Sequence, residues 1–388
     1  MPFTPSENTT LLGLSIFTFV LMFAVGIAAP IIPLYASSLG ASWTEIGLLG
    51  TSWGLTLMLL AIATGRLSDR LGRKPLLIAS GVLSTTAALL YLISSTVPQI
   101  ILIRILEGAV WALFWPTVEA LATEIVDAKR AGRAMGMVSA SYGIAFATSS
   151  VAAGSITSVF GYLQTFMIYL VLSLISIFLA VFLLRGTPHR NKSAVARTES
   201  SKLDSSSLSS RMTILAYFLG GSYTFGLGVM LTLFSVFAKS LSVAVFLIGV
   251  LFGFFWLGRI VGSVGGGRVS DKYGRGPIVI VAMLSSVVGF MLAAFSTGID
   301  MLLGAVVILG FSIGTSFPVS VAIISDNVPV SKRGYAMGIY ETACAVSFML
   351  AATFGGLLSD LYSPRVPYLL AACVSLAAAM IFALKRVK

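Results

Sequence analysis

The chain has 388 residues, of which 57% are apolar and only 10% are charged, and its formal net charge is +11. About a quarter of the residues of a soluble domain are charged, so this composition excludes a cytosolic, secreted or nucleic-acid-binding globule. The single histidine, His189, excludes a histidine-rich metal site and Ser-His or Cys-His catalysis in the core. Both cysteines, Cys344 and Cys373, lie in apolar runs, so we expect no disulfide framework.

Twelve apolar segments follow one another along the chain, and each is close to the roughly 20 residues that a helix needs to cross a bilayer. The short alternating segments of a membrane β-barrel do not occur in the sequence. We therefore predict an all-α polytopic membrane protein with twelve transmembrane helices. The predicted spans are 11–36, 44–65, 75–95, 98–124, 133–157, 161–185, 212–238, 243–267, 277–297, 300–326, 334–358 and 364–384.

The basic residues lie mostly on one side of this predicted topology. If the chain ends and every second loop share a side, that side holds 21 of the 25 lysines and arginines. The loops of the opposite side contain only Lys239 and Arg365, and Arg104 and Arg259 fall inside spans. Cytoplasmic loops are rich in lysine and arginine. We therefore predict cytoplasmic termini and read the positive charge as a topology signal, not as a nucleic-acid footprint.

The sequence contains a duplicated unit of six spans. Residues 65–75, GRLSDRLGRKP, follow the second span, and residues 267–277, GRVSDKYGRGP, follow the eighth. The same offset of 202 residues pairs Pro116 with Pro318 and Gly154 with Gly356 without gaps. An even number of spans keeps the two copies parallel in the membrane, so we predict two pseudo-symmetric six-helix bundles.

We divide the chain into an N-terminal bundle, residues 1–185, a cytoplasmic linker, residues 186–211, and a C-terminal bundle, residues 212–388. The linker is rich in serine and basic residues and has almost no apolar content. Such a composition is typical of a solvated tether, which we favour over a regulatory or nucleic-acid-binding segment.

With twelve spans, a central linker and two copies of this loop, the sequence resembles the major facilitator superfamily. The motif A of that family reads approximately G-x-L-a-D-r-x-G-r-k between the second and third spans, with a weaker copy between the eighth and ninth. Both copies in this chain fit the motif at nearly every position. The resemblance implies two six-helix bundles that rock about a central cavity and expose it alternately to the two sides of the membrane.

The residue types of this loop also have a direct physical reading. Its second glycine permits a tight turn, its first glycine allows close helix packing, and its aspartate can lie near a helix N-terminus, where the helix dipole stabilises a carboxylate. In the two copies these residues are Gly72 and Gly274, Gly65 and Gly267, and Asp69 and Asp271.

Acidic residues at the ends of two spans complete a predicted gate. Arg73 and Arg275 can reach Glu124 and Asp326, which end the fourth and tenth spans on the side of the motif. Such an ion network would hold the two halves together in one state and break in the other. We assign Arg70 and Arg333 to the same cytoplasmic gate. The alternative, in which these basic residues only enforce topology, stays open.

Five ionisable residues lie inside predicted spans, where such groups are costly and usually functional. In the fourth span, Glu107, Trp111, Trp115 and Glu119 recur every four residues, and Arg104 lies within the same helical arc. We predict that this face lines a water-filled cavity, against the alternative of a packed core stripe. The other two intramembrane charges are Arg259 in the eighth span and Glu341 in the eleventh.

The depth of these charges suggests their partners. Arg104 and Glu107 can pair at a spacing of three residues, and Arg259 lies at a similar depth to Glu119 and Glu341. Two cations facing three carboxylates leave one acid unpaired. We predict that this acid, Glu119 or Glu341, exchanges a proton during transport or attracts a cationic substrate. The alternative is a static lattice of salt bridges.

Further cavity candidates come from aromatic residues and from the resemblance. We assign Tyr223 and Phe317 to the cavity because they are aromatic residues of the seventh and tenth spans, which line the cavity in this family. Arg104 followed by Gly108 resembles motif B of proton-coupled drug transporters. The fifth span has no proline and therefore lacks the antiporter motif of that family.

These residues favour a secondary active transporter of a small organic solute. An aromatic cavity with unpaired negative charge favours proton-coupled efflux of an amphipathic or cationic compound. The alternatives are a uniporter or symporter for a sugar or another metabolite and, from a different class, a non-transporting membrane sensor or scaffold. We expect no enzymatic activity, catalytic residue, metal, cofactor or nucleic-acid partner. The expected setting is the plasma membrane, where the protein would work as a monomer with protons and a small molecule as partners.

Overall fold

The computed structural model describes residues 3–127, 130–184, 210–329 and 332–384. Within these ranges it leaves the side chains at positions 61, 62, 65, 66 and 69 undescribed. Nearly all of the predicted linker, residues 186–211, therefore lies outside the described chain. The side-chain positions of two motif residues, Gly65 and Asp69, are also undescribed.

The described residues form thirteen α-helices. Hydrophobic runs broken by glycine, proline and charged loops define them, as the sequence predicts. The helices are α1 (Pro5–Ala28), α2 (Ile31–Ser38), α3 (Trp43–Leu71), α4 (Arg73–Ile93), α5 (Val97–Glu124), α6 (Ala131–Phe160), α7 (Tyr162–Leu183), α8 (Arg211–Ser240), α9 (Val245–Tyr273), α10 (Arg275–Ala294), α11 (Ile299–Asn327), α12 (Arg333–Leu361) and α13 (Val366–Leu384).

The predicted all-helical membrane fold is confirmed. α1 and α2 together form the first span and are separated at Pro30, whose ring cannot donate a backbone hydrogen bond. Eleven spans of the described chain are long and apolar enough to cross a membrane. The remaining predicted span, the second along the chain, is α3. Its 29 residues extend about 43 Å at 1.5 Å per residue, more than a hydrocarbon core requires.

The helix boundaries repeat along the chain with the offset of the sequence repeat. α3 and α9 begin and end 202 residues apart, and α4 and α10, as well as α6 and α12, begin 202 residues apart. We call α1–α7 the N-terminal half and α8–α13 the C-terminal half. Residues that the offset relates are called repeat mates below.

The two halves touch where α3 crosses α12 and where α6 crosses α9. A Cβ atom added to Gly47 would lie 2.3 Å from the carbonyl oxygen of Ala352 and 3.1 Å from the Cα of Gly356. At the second crossing, a Cβ atom on Gly249 would lie 2.5 Å from the carbonyl oxygen of Ser150 and 2.8 Å from the Cα of Gly154. Each contact is the repeat mate of the other, so the duplication created two equivalent interfaces.

The halves separate at the opposite end of these helices. At this end of α6, α9 and α12, Cβ atoms added to six glycines would find no atom of another helix within 4 Å. We call this the open end, where both ends of the described chain lie, and the glycine contacts mark the closed end. Gly267, for which close helix packing was expected, is one of these six residues and packs against no other helix in this conformation. They are Gly132, Gly136, Gly265, Gly267, Gly334 and Gly338.

Candidate functional site

The loop motif forms the predicted tight turn in both halves. Gly72 joins α3 to α4 with φ at 88°, and Gly274 joins α9 to α10 with φ at 90°. Residues with a side chain rarely adopt this left-handed backbone. Both turns therefore need the second glycine of the motif, as the sequence predicts.

The arginine after each turn reaches the predicted acid. Arg73 lies 2.9 Å from the carboxylate of Glu124 and donates to the hydroxyl of Ser68. Its repeat mate Arg275 lies 3.3 Å from the carboxylate of Asp326. The prediction that these arginines reach Glu124 and Asp326 is confirmed. Each pair ties together helices of the same half at the open end.

Other gate residues also act within one half. Arg333 donates to the carbonyl oxygens of Val328 and Ser325 and so secures the turn between α11 and α12. Asp271 lies in the last turn of α9 and accepts a 2.5 Å hydrogen bond from Arg275. The side chain of Arg70 is exposed. The ion pairs seen between described side chains each join two residues of one half, so the described residues show no ion pair between the halves in this conformation.

The predicted pair on α5 forms, but only Arg104 reaches the central cavity. Arg104 pairs with Glu107 and donates through Nε to the carbonyl oxygen of Leu49 on α3, 3.2 Å away. The Glu107 side chain is only 2% exposed, and the hydroxyl of Tyr169 on α7 donates to it at 3.4 Å. Glu107 therefore points into the N-terminal half, because its charge is compensated there by Arg104 and Tyr169.

The remaining intramembrane carboxylates come from opposite halves. They are Glu119 of α5 and Glu341 of α12. Neither forms an ion pair with a side chain that the structure describes. Two acids, and not one as the sequence count suggested, thus lack a cationic partner within the described part of the chain.

Arg259 is the reason for this difference. Its guanidinium lies 4.8 Å from the ring centre of Trp256, and that ring packs against Tyr142 of the other half at 5.5 Å between ring centres. A cation over an aromatic face is stabilised without a carboxylate. In the described chain Arg259 forms no ion pair, and the predicted pairing with Glu119 or Glu341 does not occur.

Seven aromatic residues close the centre of the protein between the halves, and we call them the aromatic cluster. Trp53 packs against Phe348 at 5.0 Å between ring centres, and Phe146 packs against Trp256 at 4.5 Å. A cavity of about 50 Å³ lies among them, also lined by Arg104. The members are Trp53, Trp111, Trp115, Tyr142, Phe146, Trp256 and Phe348.

The sequence identified only Trp111 and Trp115 of this cluster. A signal for two of the others was present in the repeat, because Phe146 and Phe348 are mates, and each packs against a tryptophan of the opposite half. Reading the repeat for aromatic mates as well as for glycines would have identified these two phenylalanines.

The cavity assignment of Tyr223 is wrong. Its side chain is 5% exposed, and its hydroxyl lies 2.9 Å from that of Tyr340, which in turn lies 2.7 Å from the hydroxyl of Ser320. These three residues join α8, α12 and α11 inside the C-terminal half. Phe317 is partly buried against the core, and its assignment to the cavity stays a prediction.

A larger groove lies between α8 and α12. Its volume is about 1020 Å³, and no charged side chain lines it. The hydroxyl of Tyr217 at this groove is buried without a hydrogen-bond partner among the described residues. The groove shares no residue with the aromatic cluster. The intramembrane charges and the seven rings of the aromatic cluster therefore lie outside it.

The chain is similar to known transport proteins over its whole length. The family model of the Major Facilitator Superfamily matches residues 14–265 and 215–388. An uncharacterized MFS-type transporter of Methanocaldococcus jannaschii is 24% identical over 94% of this chain and 95% of its own. The quinolone resistance protein NorA of Staphylococcus aureus is 21% identical over 95% of this chain and 94% of its own.

Three further proteins extend this similarity. Multidrug resistance protein 1 of Bacillus subtilis is 23% identical, with 92% of this chain and 91% of its own covered. Among solved structures, a bacterial homolog of the human lysosomal transporter Spinster, inward-facing and unoccupied, has a TM-score of 0.80 at 13% identity and covers 99% of this chain and 97% of its own. A mutant of the nucleoside transporter NupG has a TM-score of 0.81 at 14% identity, with 97% and 99% covered. The structural matches establish the fold.

Proposed function

Because the chain belongs to the Major Facilitator Superfamily and is a membrane transporter, we propose that it exports a cationic, amphipathic compound in exchange for protons. The observation that carries this proposal is the position of Glu119 and Glu341. They are carboxylates of membrane-spanning helices in opposite halves, without an ion-pair partner among the described side chains.

The chemistry of this pair supports exchange. Two ionised carboxylates within membrane-spanning helices are costly as long as no positive charge or proton compensates them. Either a proton or the ammonium group of a substrate relieves this cost. If one carboxylate pair serves both in turn, uptake of a proton releases the cation, and the two fluxes are coupled in opposite directions.

The aromatic cluster would supply the apolar part of the site. Trp115 and Trp111 of α5 lie about one and two turns from Glu119 on the same helix. Aromatic faces bind flat apolar groups and attract cations. We propose that a substrate places its charged group at Glu119 and Glu341 and its rings against these tryptophans. The relatives named for quinolone and multidrug resistance favour such drug-like compounds.

The proposed orientation puts the open end in the cytoplasm. Most basic residues of the loops lie at this end, 21 of the 25 lysines and arginines in the chain by the predicted topology, which favours the cytoplasmic side. In this orientation the structure is open to the inside and closed to the outside. We propose the plasma membrane as its location and a monomer as the working unit.

Transport in proteoliposomes tests the coupling. We expect the unaltered protein to move a fluorescent cationic dye toward the more acidic side of the membrane, opposite to the flow of protons. Glu119→Gln and Glu341→Gln should each abolish the dependence on the gradient, because glutamine cannot bind and release a proton. Asp300→Asn, which neutralises an exposed acid in the first turn of α11, is the matched control. If both glutamine variants keep pH-driven dye transport, the proposal is wrong.

A second candidate function follows from Arg259. A guanidinium without a carboxylate partner in the described chain suits a metabolite with an anionic group, moved by uniport or symport. Under this alternative, Arg259→Gln would abolish binding of an anionic metabolite, while Glu119→Gln would leave it unchanged. Binding of organic anions and cationic dyes to the purified variants distinguishes the two candidates.

A further inference from the structure

The carboxylate of Asp360, at the end of α12, binds the first turn of α3 in the opposite half. One oxygen accepts a hydrogen bond from the backbone N–H of Trp43 at 3.0 Å. The other accepts from the backbone N–H of Thr44 at 2.7 Å and from the hydroxyl of Thr44 at 2.6 Å. Three hydrogen bonds to one charged group thus cross the closed end.

The first turn of α3 leaves two donors for this carboxylate. Its cap residue Ser42 and Glu45 satisfy each other's backbone N–H groups in a capping box. The N–H groups of Trp43 and Thr44 have no partner within a helix, as at every helix start. Asp360 occupies this position, where the helix dipole also favours negative charge. The contact therefore requires a negatively charged acceptor at position 360 and backbone N–H groups of α3 that point toward it.

The repeat-related interface has no such contact. The mate of Asp360 is Ser158, whose hydroxyl donates to the carbonyl oxygen of Ser155 in its own helix. The mate of Ser42 is Ala244, and α9 begins without a side-chain cap. The hydroxyls of Thr51 and Thr353 add a further hydrogen bond of 2.7 Å between α3 and α12. The polar contacts described between the halves at this end are thus all on the α3–α12 side.

We propose that Asp360 is a positioning residue for transport, which fastens α3 to α12 while the cavity is open at the other end and releases it when the closed end opens. The residue touches no substrate site. It acts through α3, whose Leu49 carbonyl receives the hydrogen bond of Arg104 and whose Trp53 belongs to the aromatic cluster. The α6–α9 interface, held by glycine and aromatic contacts, is the side that separates with less resistance.

Distances between spin labels test this proposal in the full-length protein. One pair is Ser38→Cys and Ser240→Cys, repeat mates that end α2 and α8 at the closed end. The second pair is Leu71→Cys and Tyr273→Cys, exposed mates that end α3 and α9 at the open end. Both pairs are made in a Cys344→Ala, Cys373→Ala background, since these are the natural cysteines.

The expected result is a shift in conformational populations. In Asp360→Ala, the fraction with a long distance between positions 38 and 240 should rise about fivefold, the size expected for losing hydrogen bonds to an exposed charged acceptor. The distance between positions 71 and 273 should shorten in the same molecules. Asp360→Glu should restore the distances in part, and Ser158→Ala should change neither distribution.

Several outcomes would overturn the proposal. Unchanged distances in Asp360→Ala, or an equal shift in Ser158→Ala, would show that the carboxylate does not fasten the interface. If Asp360→Ala does not elute as a folded monodisperse protein, Asp360→Asn is measured instead, because it keeps one acceptor and removes the charge. Since the readout is a distance in purified protein, it does not depend on which substrate is carried or on proton coupling.

Discussion

The two interfaces between the halves are repeat mates, and they differ in what accompanies the same backbone contact. Gly47 meets Gly356 and Gly249 meets Gly154 with nearly the same geometry. Around both contacts a phenylalanine packs on a tryptophan of the other half, but among the described residues only the first is accompanied by hydrogen bonds between the halves, from Asp360 and Thr353. The repeat thus preserves the close approach of the helices and the aromatic packing, while directional polar contacts are present on one side.

The interiors of the two halves also differ, because one buries an ion pair where the other buries aliphatic side chains. The N-terminal half buries the pair of Arg104 and Glu107 on α5. The mates of these residues on α11 are Val306 and Leu309, which are both fully buried. One half therefore carries a costly ion pair at a depth where its copy is built from aliphatic side chains. This contrast suggests that the pair serves transport and not the stability of the bundle.

The largest expected effect comes from breaking this pair. Glu107→Leu should lower the free energy of unfolding by about 3–5 kcal/mol, because it leaves a buried guanidinium without its carboxylate. The double change Arg104→Val and Glu107→Leu copies the C-terminal half and should restore most of that stability. Thermal unfolding of the purified variants in detergent measures both. A double variant as unstable as the single one would show that the two halves are not interchangeable here.

The next effect is steric and should be equal at the two interfaces. Gly47→Ala and Gly249→Ala each place a methyl group within 2.5 Å of a carbonyl oxygen of the other half, which should disfavour the closed end by about 1–3 kcal/mol. Gly136→Ala and Gly338→Ala are matched controls, since their Cβ atoms meet open space. Label distances at the closed end report the change. Clearly unequal effects at Gly47 and Gly249 would break the equivalence of the two contacts.

A smaller difference is expected at the open end. The Glu124 side chain is 8% exposed and that of Asp326 is 56% exposed. Glu124→Gln should cost about 1–2 kcal/mol of stability, whereas Asp326→Asn should cost about 0–1 kcal/mol, because water screens the exposed pair. Thermal unfolding at low and high salt measures the two variants. Equal losses, or a stronger salt dependence for Glu124→Gln, would contradict this ranking.

The smallest effect is a gain at the apolar interface. Ser158→Asp places a carboxylate at the position that corresponds to Asp360, near the uncapped start of α9. The closed end should gain about 0.3–1 kcal/mol from the helix dipole at low ionic strength. The fraction of long distances between labels at positions 38 and 240 should fall, and salt should reverse the change. Ser155→Asp, one turn earlier on α6, is the control that should leave the fraction unchanged.

Much of the architecture followed from the sequence because it depends on local and periodic signals. Apolar runs predicted the helices within a few residues, and the two copies of the loop predicted the turns at Gly72 and Gly274 and the partners of Arg73 and Arg275. These features need only hydropathy, backbone stereochemistry and a fixed offset along the chain.

The predicted site was less accurate, since helix rotation decides it. A periodic pattern placed Glu107 and Glu119 on one face of α5, yet only rotation and neighbours decide that Glu107 meets Tyr169 inside the bundle. Depth alone matched Arg259 with carboxylates, whereas the structure places it against Trp256. Distances along a helix are local, but the side chains that surround a buried charge come from distant parts of the chain.

The sequence by itself determined that this chain is a duplicated membrane bundle with a basic rim, because those properties are written in composition, spacing and repeat. Only the tertiary structure decided which end is closed and which charges remain without a partner among the described side chains. It also decided that Asp360 of one half binds the start of α3 in the other, 316 residues away along the chain. Such contacts depend on how the two halves pack against each other. That relative position leaves no periodic signal in the sequence of either half.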